Sequence, residues 1–113
     1  MACIFCKIAS GEIPAQILHQ DDDVVAFRDL NPQAPHHVLI IPKQHFTTLN
    51  DVSSENNLLL GKLISTATNI AKQLGIADDG YRVVMNCNSD GGQSVYHIHL
   101  HLLGGRHMTW PPG

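Results

Sequence analysis

The stretch His97-Ile98-His99-Leu100-His101-Leu102-Leu103 sets three imidazoles at strict alternation with apolar residues. Imidazole titrates near neutrality, is a competent nucleophile, and can be oriented through its second nitrogen. On a strand, successive side chains point to opposite faces. A strand over Tyr96–Leu103 therefore gives His97, His99 and His101 one face, and Ile98, Leu100 and Leu102 the other. Alternate positions stand roughly 6.5–7 Å apart, so one small ligand can touch at least two imidazoles. A single histidine in that setting is ordinarily structural. Three of them behind the turn Asp90-Gly91-Gly92-Gln93-Ser94 read as a functional site, because buried polar groups need partners.

The elements that must position this face follow from pattern. Ile4, Phe5, Ile8 and Ala9 suit one face of a short helix, stopped by Gly11 and Pro14. Ile17-Leu18-His19 and Val24-Val25-Ala26-Phe27 form a hairpin across Asp21-Asp22-Asp23, which reads as a solvated turn and not a calcium loop. Pro32 and Pro35 exclude a helix after Arg28-Asp29-Leu30. Val38-Leu39-Ile40-Ile41, entered through His36-His37 and closed by Pro42, is long enough for a buried strand. Ser53 suits the N-cap of one long helix, with Asn56 in place of the Glu or Gln of a capping box. Its apolar stripe runs through Leu60, Leu63, Ile64, Ala67, Ile70, Ala71 and Leu74, and Gly75 ends it. Tyr81-Arg82-Val83-Val84-Met85 makes a further strand. The expected class is α+β: a mainly antiparallel sheet of about five strands with one long and one short helix, in a single domain over 1–113.

Composition narrows the function classes. Seven basic residues against ten acidic ones, scattered along the chain, argue against a nucleic-acid surface. One phosphate can still be held by backbone N–H groups and histidine. The apolar runs are too short to span a bilayer. Met1-Ala2-Cys3-Ile4-Phe5-Cys6-Lys7 has no signal-peptide character, so the expected location is the cytoplasm. Three cysteines suggest free thiols or metal ligands in place of a disulfide framework. The spacing Cys3-x-x-Cys6 alone fits either two small buried side chains on a short helix or metal binding.

The motif His97-x-His99-x-His101-x-x, with apolar x, resembles that of the histidine triad superfamily. The flanks Asp90–Tyr96, Gly104-Gly105-Arg106 and Trp110-Pro111-Pro112-Gly113 are similar to the Hint branch, the nucleoside phosphoramidate hydrolases. The likeness runs from about Ile4 to the end of the chain. It implies the histidine triad fold, a homodimer, and a purine nucleotide as substrate and product. It also implies cleavage of a P–N bond through a phosphohistidine on His99, with His97 and His101 hydrogen-bonding phosphoryl oxygens or neighbouring groups and His37 nearby as a supporting partner. By the same likeness Gly92, Gln93 and Ser94 form a phosphate loop, and Asp29 accepts hydrogen bonds from the ribose hydroxyls. Phe5, Ile8, Phe27 and Leu30 clamp the base, and Asn86 lies near ribose and phosphate. Trp110 completes the leaving-group side of a partner subunit's site, where the variable His107 and Thr109 alter the accepted amine.

Cys3 and Cys6 depart from the Hint branch. Related proteins with Cys-x-x-Cys there hold zinc through two cysteines and two histidines, and the matching positions are Cys3, Cys6, His45 and His97. Two thiolates and two imidazoles would make a closed structural site. Catalysis by the triad is expected to need no metal. The leading expectation is thus a purine nucleoside 5′-monophosphoramidate hydrolase. The alternatives are a dinucleoside polyphosphate hydrolase and a nucleotide-binding regulatory or scaffold protein with incidental hydrolysis. A zinc hydrolase using all three triad histidines is geometrically awkward for a tetrahedral ion.

Overall fold

The structure, a computed structural model, describes residues 3–113. Met1 and Ala2, part of the leading stretch read above, lie outside them. The strands are β1 (Ile17–Gln20), β2 (Val24–Arg28), β3 (His36–Pro42), β4 (Tyr81–Met85) and β5 (Leu100–Gly104). They form one sheet in the order β1-β2-β3-β5-β4, with every neighbouring pair antiparallel. The helices are α1 (Ile4–Ala9), α2 (Asn57–Gln73) and a single turn, α3 (Asn88–Gly91).

Period-two alternation turns the sheet into a septum between two apolar layers. Val38 and Ile40 of β3, Val24 and Ala26 of β2, and Leu100 and Leu102 of β5 face α2, whose Leu63, Ala67, Ile70 and Ala71 complete that core. The intervening residues Val25, Phe27, Leu39 and Ile41 face α1 and pack on Phe5 and Ala9. The central strands are therefore apolar on both faces, which is why Val38–Ile41 reads as a continuous hydrophobic run. Leu100 is fully buried where β5 meets β3. Leu100→Ala is expected to lower unfolding free energy by about 2–5 kcal/mol, measurable by urea denaturation.

Four local expectations are corrected. The strand carrying the histidines begins at Leu100, not Tyr96. His97 and His99 precede the ladder, in a segment held by Ile98 N–H donating to the Phe46 carbonyl at 2.8 Å. The faces nevertheless alternate as expected, with Ile98 in the α2 core. Ser53 begins a 3₁₀ turn, Ser54–Asn56, and α2 follows it; Asn56 Oδ1 accepts from the Ser53 N–H at 3.4 Å. Ile64 is 44% exposed while Thr66 is buried, because the face toward the sheet is narrower than the stripe. The loop after β4 holds α3, closed by Gly92 at φ 83°, a conformation that glycine adopts without strain. Among the described residues no helix is long and apolar enough to cross a membrane.

Candidate active site

On the α1 side of the sheet lies a cleft of about 410 Å³. Its apolar wall includes Phe5, Ile8, Phe27, Leu30 and Leu39, and its polar end Asp29, His37, Ser94, His99 and His101. Leu30 stands at the rim, 100% exposed, so a ligand would cover apolar surface that the fold leaves in water. Ile4, Ile13, Pro14 and Ala15 extend this wall. Ile4 reads from sequence only as part of the helix face, and Ile13, Pro14 and Ala15 are not anticipated, since the segment after a short helix carries no periodic signal. Their only clue was apolar residues beside Pro14.

Each imidazole is oriented by a specific bond. His99 Nδ1–H donates to the His97 carbonyl at 2.8 Å, leaving Nε2 as the free lone pair. The Phe5 ring meets the imidazole edge-on, with centroids 5.1 Å apart. His37, on β3, accepts the Gln33 N–H on Nδ1 at 3.0 Å, so its proton sits on Nε2. That Nε2–H donates to His101 Nδ1 at 2.9 Å, with Asp29 Oδ2 also near at 3.4 Å. His101 must then carry its own proton on Nε2. The chain Gln33 to His37 to His101 thus sets a donor on His101 beside an acceptor on His99.

Electrostatics keep these rings neutral. Burial holds His99 below the usual histidine range, against the hydrogen bond to the His97 carbonyl and the charge of Asp29. His37 is lowered by burial, again opposed by Asp29. Burial, with His99 and His37 adding to it, pushes His101 down to about 4. Below the ordinary histidine range near 6.5 the unfolded chain takes up protons that the folded rings refuse. Stability is therefore expected to be full above that range and to fall as pH drops from 6.5 toward 4. Thermal melts across that window, flattened in slope by His101→Asn, check this linkage.

Of the roles expected for His97, its placement fits steadying neighbouring groups and joining the cysteine cluster, not touching phosphate. His97 is 0% exposed and turns away from the cleft. Its Nε2–H donates to the Pro42 carbonyl at 2.8 Å. Its Nδ1 faces Cys3 Sγ at 3.4 Å, Cys6 Sγ at 3.5 Å and His45 Nδ1 at 3.1 Å. Cys6 Sγ is also 3.4 Å from His45 Nδ1. Both nitrogens of His97 are occupied, so hydrogen bonding to a phosphoryl oxygen is not open to it. It joins the thiol cluster to the cleft through its carbonyl.

Other expected site residues are not gathered here. The N–H groups of Gly92 and Gln93 donate to Ser89 and Asn88 carbonyls at 3.0 and 3.1 Å, which closes α3. The buried Gln93 side chain braces the loop, accepting from Asn88 N–H and donating to the Thr47 and Val95 carbonyls. Of the three expected phosphate-loop residues, Ser94 reaches the cleft. Asn86 does not line it. Trp110, whose expected place is a partner subunit's site, is 81% exposed and lies against Arg82 of β4.

Comparison with known proteins agrees with this architecture. The HIT domain model matches residues 10–108. The chain is 60% identical over 103 residues to the purine nucleoside phosphoramidase of Escherichia coli (strain K12), covering 91% of this chain and 87% of that protein. The crystal structure of a HIT family hydrolase from Legionella pneumophila Philadelphia 1 superposes with a TM-score of 0.97 at 57% identity, covering 99% of this chain and all of that one. A histidine triad protein from Clostridium difficile gives 0.94 at 46% identity, covering 96% and 95%. By sequence, by fold and by the histidines at its cleft, the chain belongs to the HIT domain family.

Proposed function

We propose that the protein hydrolyses purine nucleoside 5′-monophosphoramidates to the nucleoside monophosphate and a free amine. The observation that carries this reading is the opposed pair at the cleft: the lone pair of His99 Nε2 beside the N–H of His101 Nε2. The 60% identity to a purine nucleoside phosphoramidase supports the P–N bond as the target. His99 Nε2 attacks phosphorus, the P–N bond breaks, and the amine leaves as its nitrogen takes a proton from solvent, which the attacking water of the second step returns. His101 Nε2–H hydrogen-bonds the phosphoryl oxygens, where charge builds in the transition state. Water then attacks phosphorus, breaks the P–Nε2 bond and releases the monophosphate, consuming one water overall. Ser94 supplies a further polar contact, while Phe5, Ile8, Phe27 and Leu30 take the base. Asp29, with Oδ1 accepting the Asn31 N–H, is steadied to accept from the ribose hydroxyls.

Hydrolysis of adenosine 5′-tryptamine phosphoramidate, followed by fluorescence, tests the reading; absence of AMP and tryptamine as products overturns it. Asp29→Ala is expected to weaken AMP binding roughly tenfold, and 2′-deoxy-AMP binding much less. Equal losses would remove the ribose contact.

A structural zinc at Cys3, Cys6, His45 and His97 accompanies this proposal. The four donor atoms lie within 4.8 Å of one another. Their closest separations approach the edges of a tetrahedron with Zn–S near 2.3 Å and Zn–N near 2.0–2.1 Å. The Pro42 carbonyl sets the His97 tautomer that ligation requires. When bound, zinc would stabilise both thiolates and link α1 to the sheet. Homodimer formation is the assembly we assign. β4 is an edge strand with exposed Val83, and exposed Trp110 stands beside it. Sedimentation equilibrium at twice the chain mass is the expected result. The free thiols Cys3, Cys6 and Cys87 favour a reducing, cytoplasmic location.

A further inference from the structure

We infer that Cys3 and Cys6 are positioning residues for nucleotide binding: a zinc ion in their cluster clamps α1, and with it Phe5 and Ile8, onto the cleft. The inference rests on the zinc reading above. α1 has six residues, far below the length at which a helix holds itself together in water. No strand pairs with it, and its buried anchors are Phe5 and Ala9. Ile8 packs beside them, and the two thiols add polar attachments. Cys3 is the N-cap, its sulfur accepting the Cys6 N–H at 3.3 Å, and both sulfurs point at His97.

Phe5 lies between the two cysteines in the chain. Its ring contacts Phe27 at a centroid distance of 5.5 Å and His99 at 5.1 Å, and Ile8 lines the same wall one turn later. Neutral thiols are weak hydrogen-bond partners, so without a cation the helix is held mainly by the packing of Phe5, Ile8 and Ala9. His97 differs. Its bond to Pro42 and its complete burial do not depend on a cation, and its carbonyl continues to orient His99. The cluster therefore acts on affinity for the nucleotide and not on the chemical step.

The experiment compares zinc-loaded wild type with the same protein after chelator treatment and dialysis. It reads zinc content, AMP affinity by calorimetry, kcat and KM, and backbone hydrogen exchange. About one zinc per chain is expected. Removal should raise the AMP Kd and KM roughly tenfold and leave kcat unchanged, the loss expected when an aromatic wall is freed. Faster exchange should be confined to residues 3–10. Cys6→Ser should match the metal-free protein, and Cys6→His, which restores a ligand, should recover affinity. Stoichiometric zinc with an unchanged AMP Kd overturns the inference and leaves the zinc reading standing. No bound zinc overturns both. Exchange rising throughout β3 and β5 makes the cluster a global folding element, and overturns the clamp.

Discussion

Replacing His99 with alanine is expected to lower kcat on an adenosine phosphoramidate by on the order of 10³-fold or more, while AMP still binds. The size follows from the proposed role: His99 Nε2 would bond to phosphorus, and among the described residues no other imidazole at the cleft presents a free, neutral lone pair in its place. His37 and His101 are committed to each other at 2.9 Å, and His97 is turned into the thiol cluster. Binding survives because the apolar wall and Asp29 belong to other elements. Trapping radiolabelled nucleotide on acid-quenched wild type, and its loss in His99→Ala, would identify the phosphohistidine. A variant turning over within tenfold of wild type would end the assignment.

His37→Leu is expected to lower kcat about 10²-fold with little change in KM. Leucine cannot donate to His101 Nδ1, so His101 becomes free to place its proton on either nitrogen, and the donor facing the phosphoryl group is lost for part of the time. His37→Gln, whose amide can still donate, should recover part of the rate. A matching loss in both variants would reduce His37 to a packing residue. A KM effect without a kcat effect would move it to ground-state binding.

Much of the frame was legible because it rests on periodicity. The run Val38–Ile41 and the hairpin around Asp21-Asp22-Asp23 appear as β3, β1 and β2. The core stripe of α2 was recognisable through Leu63, Ala67, Ile70 and Ala71, with Ile64 misplaced at its margin. Loops were less legible. That α3 would absorb the N–H groups of Gly92 and Gln93 depends on the bracing of Gln93 against Thr47, a contact 46 residues away in the chain. Gly104 offers a parallel case. It reads as part of a flanking motif, yet it lies directly against the Ile76 side chain, where any Cβ would collide.

The histidine face belongs to both levels. Sequence alone determined that His97, His99 and His101 share a side of the chain opposite Ile98, Leu100 and Leu102, because extended backbone alternates whether or not a neighbouring strand pairs with it. It also determined which residue types stood ready for phosphoryl chemistry. Which imidazole does what was decided only by tertiary contacts. The Pro42 carbonyl and the Cys3, Cys6 and His45 side chains take His97 out of the cleft, the His97 carbonyl leaves His99 with a free Nε2, and His37 sets the proton on His101. The reason is physical: an imidazole's role is set by which of its nitrogens carries the proton, and that depends on partners brought together by folding.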